Sequence, residues 1–104
     1  MICVLATIQV AEGQRNEFLD EFRKVIPKVL AEEGCIEYGP MVDIETTLEK
    51  QPPVRPDSVT IVEKWEDIAS LEAHLMAPHM NEYRKTVKDL VVDSSLLVLE
   101  PTGE

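Results

Sequence analysis

Two histidines, one tryptophan and two tyrosines are the side chains of this 104-residue sequence best suited to acid–base chemistry or to gripping an aromatic ring. Trp65, His74 and His79 fall within the single run Val62 to Met80, and Tyr38 and Tyr83 flank it in the chain. Imidazole titrates near neutrality without help, so it can take or give a proton at physiological pH. Tryptophan and tyrosine present flat apolar faces with a polar tip, which suits a planar ligand.

The elements around these residues decide which of them could meet. A helix beginning at Ile68 has the apolar stripe Ile68, Leu71 and Leu75, and His74 lies roughly 90° from its centre. That flank position fits either a boundary histidine with one backbone hydrogen bond or a ligand contact. His79 follows Pro78 in the first turn of another helix, where the partial positive charge of the helix end disfavours imidazolium. Tyr83 stands one turn further on the same side. The pair would offer an imidazole and a phenol to one space, or simply cap and pack the helix. Trp65 closes a strand whose face also carries Val59, Ile61 and Glu63. Trp65 is either core or the wall of a cavity. Glu63 is either at the sheet margin or inside a pocket, where burial would raise its pKa and make it an acid or base. Tyr38 either adds another phenol to a cavity or packs in the core.

No metal site is expected. Two histidines five residues apart on different helices, among carboxylates spread throughout, make no ligand set. No glycine-rich phosphate loop, serine elbow or cysteine–histidine pair is visible. An apolar chamber with a few tyrosines and histidines suits a flat aromatic or quinone-like ligand better than a phosphate or a sugar.

The hydrophobic pattern supplies the frame. Ile2 to Val10 alternates as a strand. Phe18, Leu19, Phe22, Val25, Ile26, Val29 and Leu30 recur at helical spacing, predicting a helix over about 15–33 that Pro27 should kink or split and Gly34 should stop. Cys35 to Ile44 reads as a second strand, with Gly39-Pro40 suggesting an edge or a bulge. A proline-rich loop precedes a third strand at Ser58 to Trp65. Asp67 can cap the helix from Ile68. Pro78 can open the next, which should run to about Leu90. Ser94 to Glu100 is the last strand. This order predicts one α+β, ferredoxin-like βαββαβ domain over 1–104, with helices on one face of a four-stranded antiparallel sheet. Both faces of the first and last strands are apolar, with Cys3 and Leu5 opposing Val4 and Ala6. Helices can cover only one face, so a homodimer packed sheet to sheet is expected.

Composition excludes other functions. Twenty acidic against ten basic residues leave a net charge of -10, which argues against nucleic acid and anionic membrane surfaces. No membrane span or signal-peptide pattern is visible, and a cytoplasmic location is expected. Cys3 and Cys35 read as buried small hydrophobes rather than a disulfide.

Taken together, these features resemble the antibiotic biosynthesis monooxygenase family over nearly the full length, and its small quinol monooxygenases most closely. The residues that carry the likeness are Ala11-Glu12-Gly13, Glu32-Glu33-Gly34-Cys35, Tyr38 to Asp43 and Pro56-Asp57-Ser58. The most specific block runs from Glu63-Lys64-Trp65-Glu66 through Leu71-Glu72-Ala73-His74 to Pro78-His79-Met80. The resemblance implies a dimeric α+β barrel with a cavity in each subunit, and oxidation of a small quinol or polyphenol by O2 without metal or flavin. The substrate would supply the electrons. His74 or His79 would be the base, Trp65 and Tyr38 would pack the ring, and Tyr83 and Glu63 would help line the site. The haem-degrading branch uses an Asn on the first strand, where this chain has Thr7 and Gln9, so haem degradation is not expected. A sister branch isomerises a phosphorylated signalling molecule and would need a basic phosphate site; Arg55 and Arg84 are the only arginines outside the first helix. A non-catalytic dimeric module that binds aromatic metabolites is the other reading of the same residues.

Overall fold

In the computed structural model, which describes residues 1–103, the chain order is β1 (Ile2–Val10), α1 (Arg15–Leu30), β2 (Cys35–Met41), β3 (Ser58–Trp65), α2 (Ile68–Leu75), α3 (Pro78–Thr86) and β4 (Val91–Leu99). The strands form one antiparallel sheet in the order β2-β3-β1-β4, the ferredoxin-like arrangement. In register, Ile2 faces Trp65, Val4 faces Glu63, Ala6 faces Ile61 and Ile8 faces Val59. Tyr38 in turn pairs with Glu63. Paired residues share a sheet face, so the alternating apolar residues of β1 and β3 gather beneath the helices. Phe18, Leu19, Phe22, Val25 and Val29 close that layer from α1.

Pro27 does not divide α1. It sits in the last turn, and the helix continues to Leu30. The turn beyond it closes at Gly34, whose φ of 85° is a left-handed conformation that a side chain disfavours. A Cβ there would also collide with the Ser70 side chain at the start of α2, so the α1–β2 turn and α2 touch backbone to side chain. The Asp67 carboxylate accepts the Ser70 amide at 2.8 Å, capping α2. Pro78 occupies the first turn of α3.

Several boundaries differ from the sequence expectation, α1 ending at Leu30 rather than near residue 33 and β4 at Leu99 rather than Glu100. β2 stops at Met41 rather than Ile44, α3 stops at Thr86 rather than near Leu90, and β4 starts at Val91 rather than Ser94. After Thr86 the chain leaves the helix in a tight turn, in which Leu90 N–H donates to Val87 O. Val91 then pairs with Val10 beyond a register shift at Gln9/Val10. Pro40 lies on edge strand β2, where its missing donor is tolerated. Cys3 and Cys35 are free thiols but only partly buried, less enclosed than expected.

The helices cover β1 to β3 and leave β4 bare. Leu96 and Val98 pair with Ala6 and Val4 on the helix-side face, and Leu97 and Leu99 pair with Leu5 and Cys3 on the other. All four β4 residues are exposed.

Candidate functional site

A cavity of about 490 Å³ opens between the sheet and the α2–α3 layer, within the roughly 300–1,000 Å³ of small-molecule sites. Its floor is Ala6, Ile8 and Ile61; Leu75, Met80, Val87 and Leu96 form apolar sides. The titratable groups reaching it are Tyr38 from β2, Glu63 from β3, His74 from α2, and Tyr83 and Arg84 from α3, with Lys88 just beyond that helix.

His74 is not a flank residue. The inward face of α2 is Leu71 and His74, and Ile68 and Leu75 of the expected stripe are exposed. Both faces were available to so short a helix. Leu71 and His74, three residues apart, lie on one side, and the docking of α2 turns that side in. His74 is 2% exposed. Its Nδ1 lies 2.9 Å from Glu32 Oε2. No buried side-chain nitrogen or oxygen among the described residues lacks a partner, and the remaining nitrogen, Nε2, opens to the cavity that His74 lines. Burial pushes the His74 pKa down, the Glu32 contact opposes this, and the charges of Arg84 and His79 add to the lowering. The imidazole is therefore neutral at neutral pH and able to accept a proton.

Trp65 lies behind the cavity rather than on its wall. It is wholly buried, its ring is 4.7 Å from the His74 ring, and its Nε1 donates to Glu63 Oε1 at 2.9 Å. It thus holds the histidine by contact and the carboxylate by a hydrogen bond. Tyr38 packs edge-on against His74, with ring centroids 5.4 Å apart. Phe18, Phe22 and Tyr83 continue the cluster, so all five aromatic residues of the chain meet around one site. Burial pushes the phenol pKa values of Tyr38 and Tyr83 well above the usual range. Both therefore remain neutral hydrogen-bond donors.

His79 faces elsewhere. It lines a small outer groove between α1 and α3 with Glu21, Lys28 and Glu82, while Tyr83 borders both the groove and the cavity. The expected imidazole–phenol pair therefore does not open jointly into the cavity. His79 instead reaches the site through Glu32, with Nε2 at 2.7 Å from the oxygen that contacts His74. Sequence reasoning missed Glu32. Its signal is membership of the Glu32-Glu33-Gly34-Cys35 block that carries the family likeness, which gives it no role in the site.

Arg84 is fixed at the mouth, donating from Nη2 to Leu75 O at 2.7 Å and from Nη1 to Asn81 Oδ1 at 3.0 Å. Arg55 lies outside the cavity and is bound by Asp43, with Nε to Oδ2 at 2.8 Å. The two arginines therefore do not converge on a phosphate. Among the described residues, no three of His, Cys, Asp or Glu are disposed to hold a metal ion.

Glu63 is 5% exposed, and burial pushes its pKa up to about 6, with the Trp65 hydrogen bond opposing and the Glu32 charge adding to the rise. A raised carboxyl pKa means that the neutral form stabilises the fold. That contribution is complete below the ordinary value of 4.5 and is lost as pH rises through about 6. Glu63→Gln keeps an acceptor for Trp65 and should raise stability at pH 8 by up to about 2 kcal/mol, with no gain near pH 4. Urea unfolding at the two pH values measures this; an equal change at both would remove burial as the cause.

Three comparisons bear on the site. The sequence model of the family described as antibiotic biosynthesis monooxygenase matches residues 1–86. A curated Escherichia coli K12 protein named probable quinol monooxygenase YgiN is 45% identical over 103 residues, covering 97% of this chain and 98% of its own. Among solved structures, a conserved protein from Methanosarcina mazei Go1 superposes with a TM-score of 0.81 at 26% identity, over 97% of this chain and 92% of that one. Protein PA3566 from Pseudomonas aeruginosa gives 0.79 at 22% identity, over 98% and 94%, and shows the fold alone.

Proposed function

This chain belongs to the antibiotic biosynthesis monooxygenase family, and from that premise we propose that it oxidises a small quinol or polyphenol with O2, the substrate itself supplying the electrons. The observation that carries the reading is a neutral imidazole on the wall of an apolar cavity ringed by aromatic side chains. His74 Nε2 takes a proton from a ring hydroxyl, giving an electron-rich quinolate and an imidazolium. Tyr38 and Tyr83 donate to ring oxygens. Arg84 and Lys88, two cations on an otherwise acidic chain, favour the anion. One quinol and one O2 then give one hydroxylated quinone and one water. The ring loses four electrons, one oxygen atom enters it, and the other leaves as water. Trp65 acts from behind by fixing His74 and Glu63. Metal and flavin play no part in this scheme.

The same reading gives the protein a partner, a second copy packed on the outer face of the sheet. The exposed Leu97 and Leu99 support it. No helix is long and apolar enough to cross a membrane.

Oxygen uptake with a panel of reduced naphthoquinones, followed by mass spectrometry, tests the activity. The expected product is a quinone one oxygen atom heavier than the oxidised starting compound. Quenching of Trp65 emission by quinones without oxygen uptake would overturn the reaction and leave a binding module.

A further inference from the structure

Glu32 stands in the turn between α1 and β2, yet one of its oxygens joins two histidines from different helices. Oε2 lies 2.9 Å from His74 Nδ1 and 2.7 Å from His79 Nε2. An ionised carboxylate only accepts hydrogen bonds, so both nitrogens carry their hydrogens. With Glu32 as the acceptor, the tautomer of His74 that fits carries Nδ1–H toward Glu32 and leaves the Nε2 lone pair for the cavity that His74 lines. The three groups also run from inside to outside. His74 is 2% exposed, Glu32 14% and His79 22%. His74 lines the main cavity and His79 the outer groove.

We infer that Glu32 is the positioning residue for His74, and that His79 anchors Glu32 rather than serving as a second base. The inference rests on the reading of His74 as the base. When Nε2 takes the substrate proton, the imidazolium keeps its Nδ1–H on Glu32, whose negative charge stabilises it. The proton stays on the imidazole and is not passed to Glu32. The proton on Nε2 is later returned to the oxygen atom that leaves as water. His79 supplies a second donor, which stops the carboxylate from rotating away. A carboxylate holding an imidazole in one tautomer is the logic of hydrolase triads, assembled here around a different reaction.

The surroundings of His74 set what a pH profile reports. It is faced by Glu32 from the turn, Tyr38 from β2, Glu63 from β3, and His79, Tyr83 and Arg84 from α3. Glu32 is the group that favours its charged form, opposing burial, Arg84 and His79. Removing the Glu32 charge should therefore shift the acid limb of kcat/KM to lower pH.

The decisive variants are Glu32→Gln and His79→Gln. A glutamine at 32 can turn its amide N–H toward Nδ1 and force the hydrogen onto Nε2, the wrong tautomer. Glu32→Gln should lower kcat by at least about 10²-fold while KM changes less than about threefold, since Glu32 does not line the cavity. His79→Gln should lose about tenfold or less in kcat. Nitrogen-15 NMR of the imidazoles should show His74 as Nδ1–H in the native protein and in His79→Gln, and altered in Glu32→Gln. Glu32→Asp, which keeps the charge, should recover part of the rate and the native tautomer; it also serves if the glutamine variant does not fold. An unchanged His74 tautomer in Glu32→Gln, or a loss confined to KM, would overturn the inference. The NMR measurement needs no turnover, so it decides this point even if no quinol is oxidised and the catalytic reading fails.

Discussion

Replacing His74 with alanine should lower kcat for quinol-dependent oxygen uptake by about 10²- to 10⁴-fold, the usual contribution of a positioned general base. The loss follows from geometry: among the groups lining the cavity, His74 is the one neutral at neutral pH with a free ring nitrogen. Tyr38 and Tyr83 hold their protons too tightly to act as bases, and Glu63 is a weak base whose carboxylate already accepts from Trp65. The native pH profile carries the same signature. Burial depresses the His74 pKa, so kcat/KM should be level from neutral pH upward and fall on the acid side, below the ordinary imidazole value. In His74→Ala that limb should disappear. Glu63 titrates near 6, so the limb should also be recorded in Glu63→Gln, where only the imidazole remains to produce it. A stopped-flow pH series on the three proteins measures this. Full activity in His74→Ala, with circular dichroism unchanged, would remove the histidine from the mechanism.

A second large effect is expected on assembly. Leu97→Asp should convert a dimer at micromolar protein into a monomer in the analytical ultracentrifuge. Leu97 pairs with Leu5 on the sheet face that no helix covers, and 54% of it meets solvent in the isolated chain. Burying a leucine contributes roughly 1.5–3 kcal/mol. Two-fold symmetry counts each substitution twice, so dissociation should become easier by about 10²-fold or more, before the cost of an unpaired carboxylate is added. Leu48→Asp, in the loop between β2 and β3, is the control and should leave the mass unchanged. Sedimentation of the native protein as a monomer would dispose of the dimer outright.

Much of this was legible in the residues. β1 and β3 came out with their observed bounds because apolar residues recur at every second position along one face of each (Glu63 excepted), even where the opposite face is partly apolar. The turn chemistry of Asp67 and Pro78 marked the helix starts. Glu63 stood out as a carboxylate in a row of Val, Ile and Trp, and it is buried. The depth of His74 was less legible, because an eight-residue helix offers two plausible inward faces and only docking chooses between them. For Trp65 and His79 the residues leave core packing or helix capping open beside a ligand contact, and the family resemblance favours the contact. Trp65 lies behind the wall and His79 outside it, since periodicity tells which residues share a face but not how far a cavity extends. The bonds that Glu32 makes were hidden for a different reason. Glu32 is one of twenty acids in the chain, and its partners lie 42 and 47 residues away.

Gly34 gives that long-range bond a mechanical foundation. The absence of a side chain at this one position lets the segment carrying Glu32 lie directly on the start of the helix carrying His74, at Ser70. The separation between carboxylate and imidazole is therefore gauged by main chain resting against a neighbouring helix, and no long side chain has to span it. Position 34 is a spacer of zero thickness. Any side chain placed there would act as a shim, prising the acid and the helix that carries the ring apart.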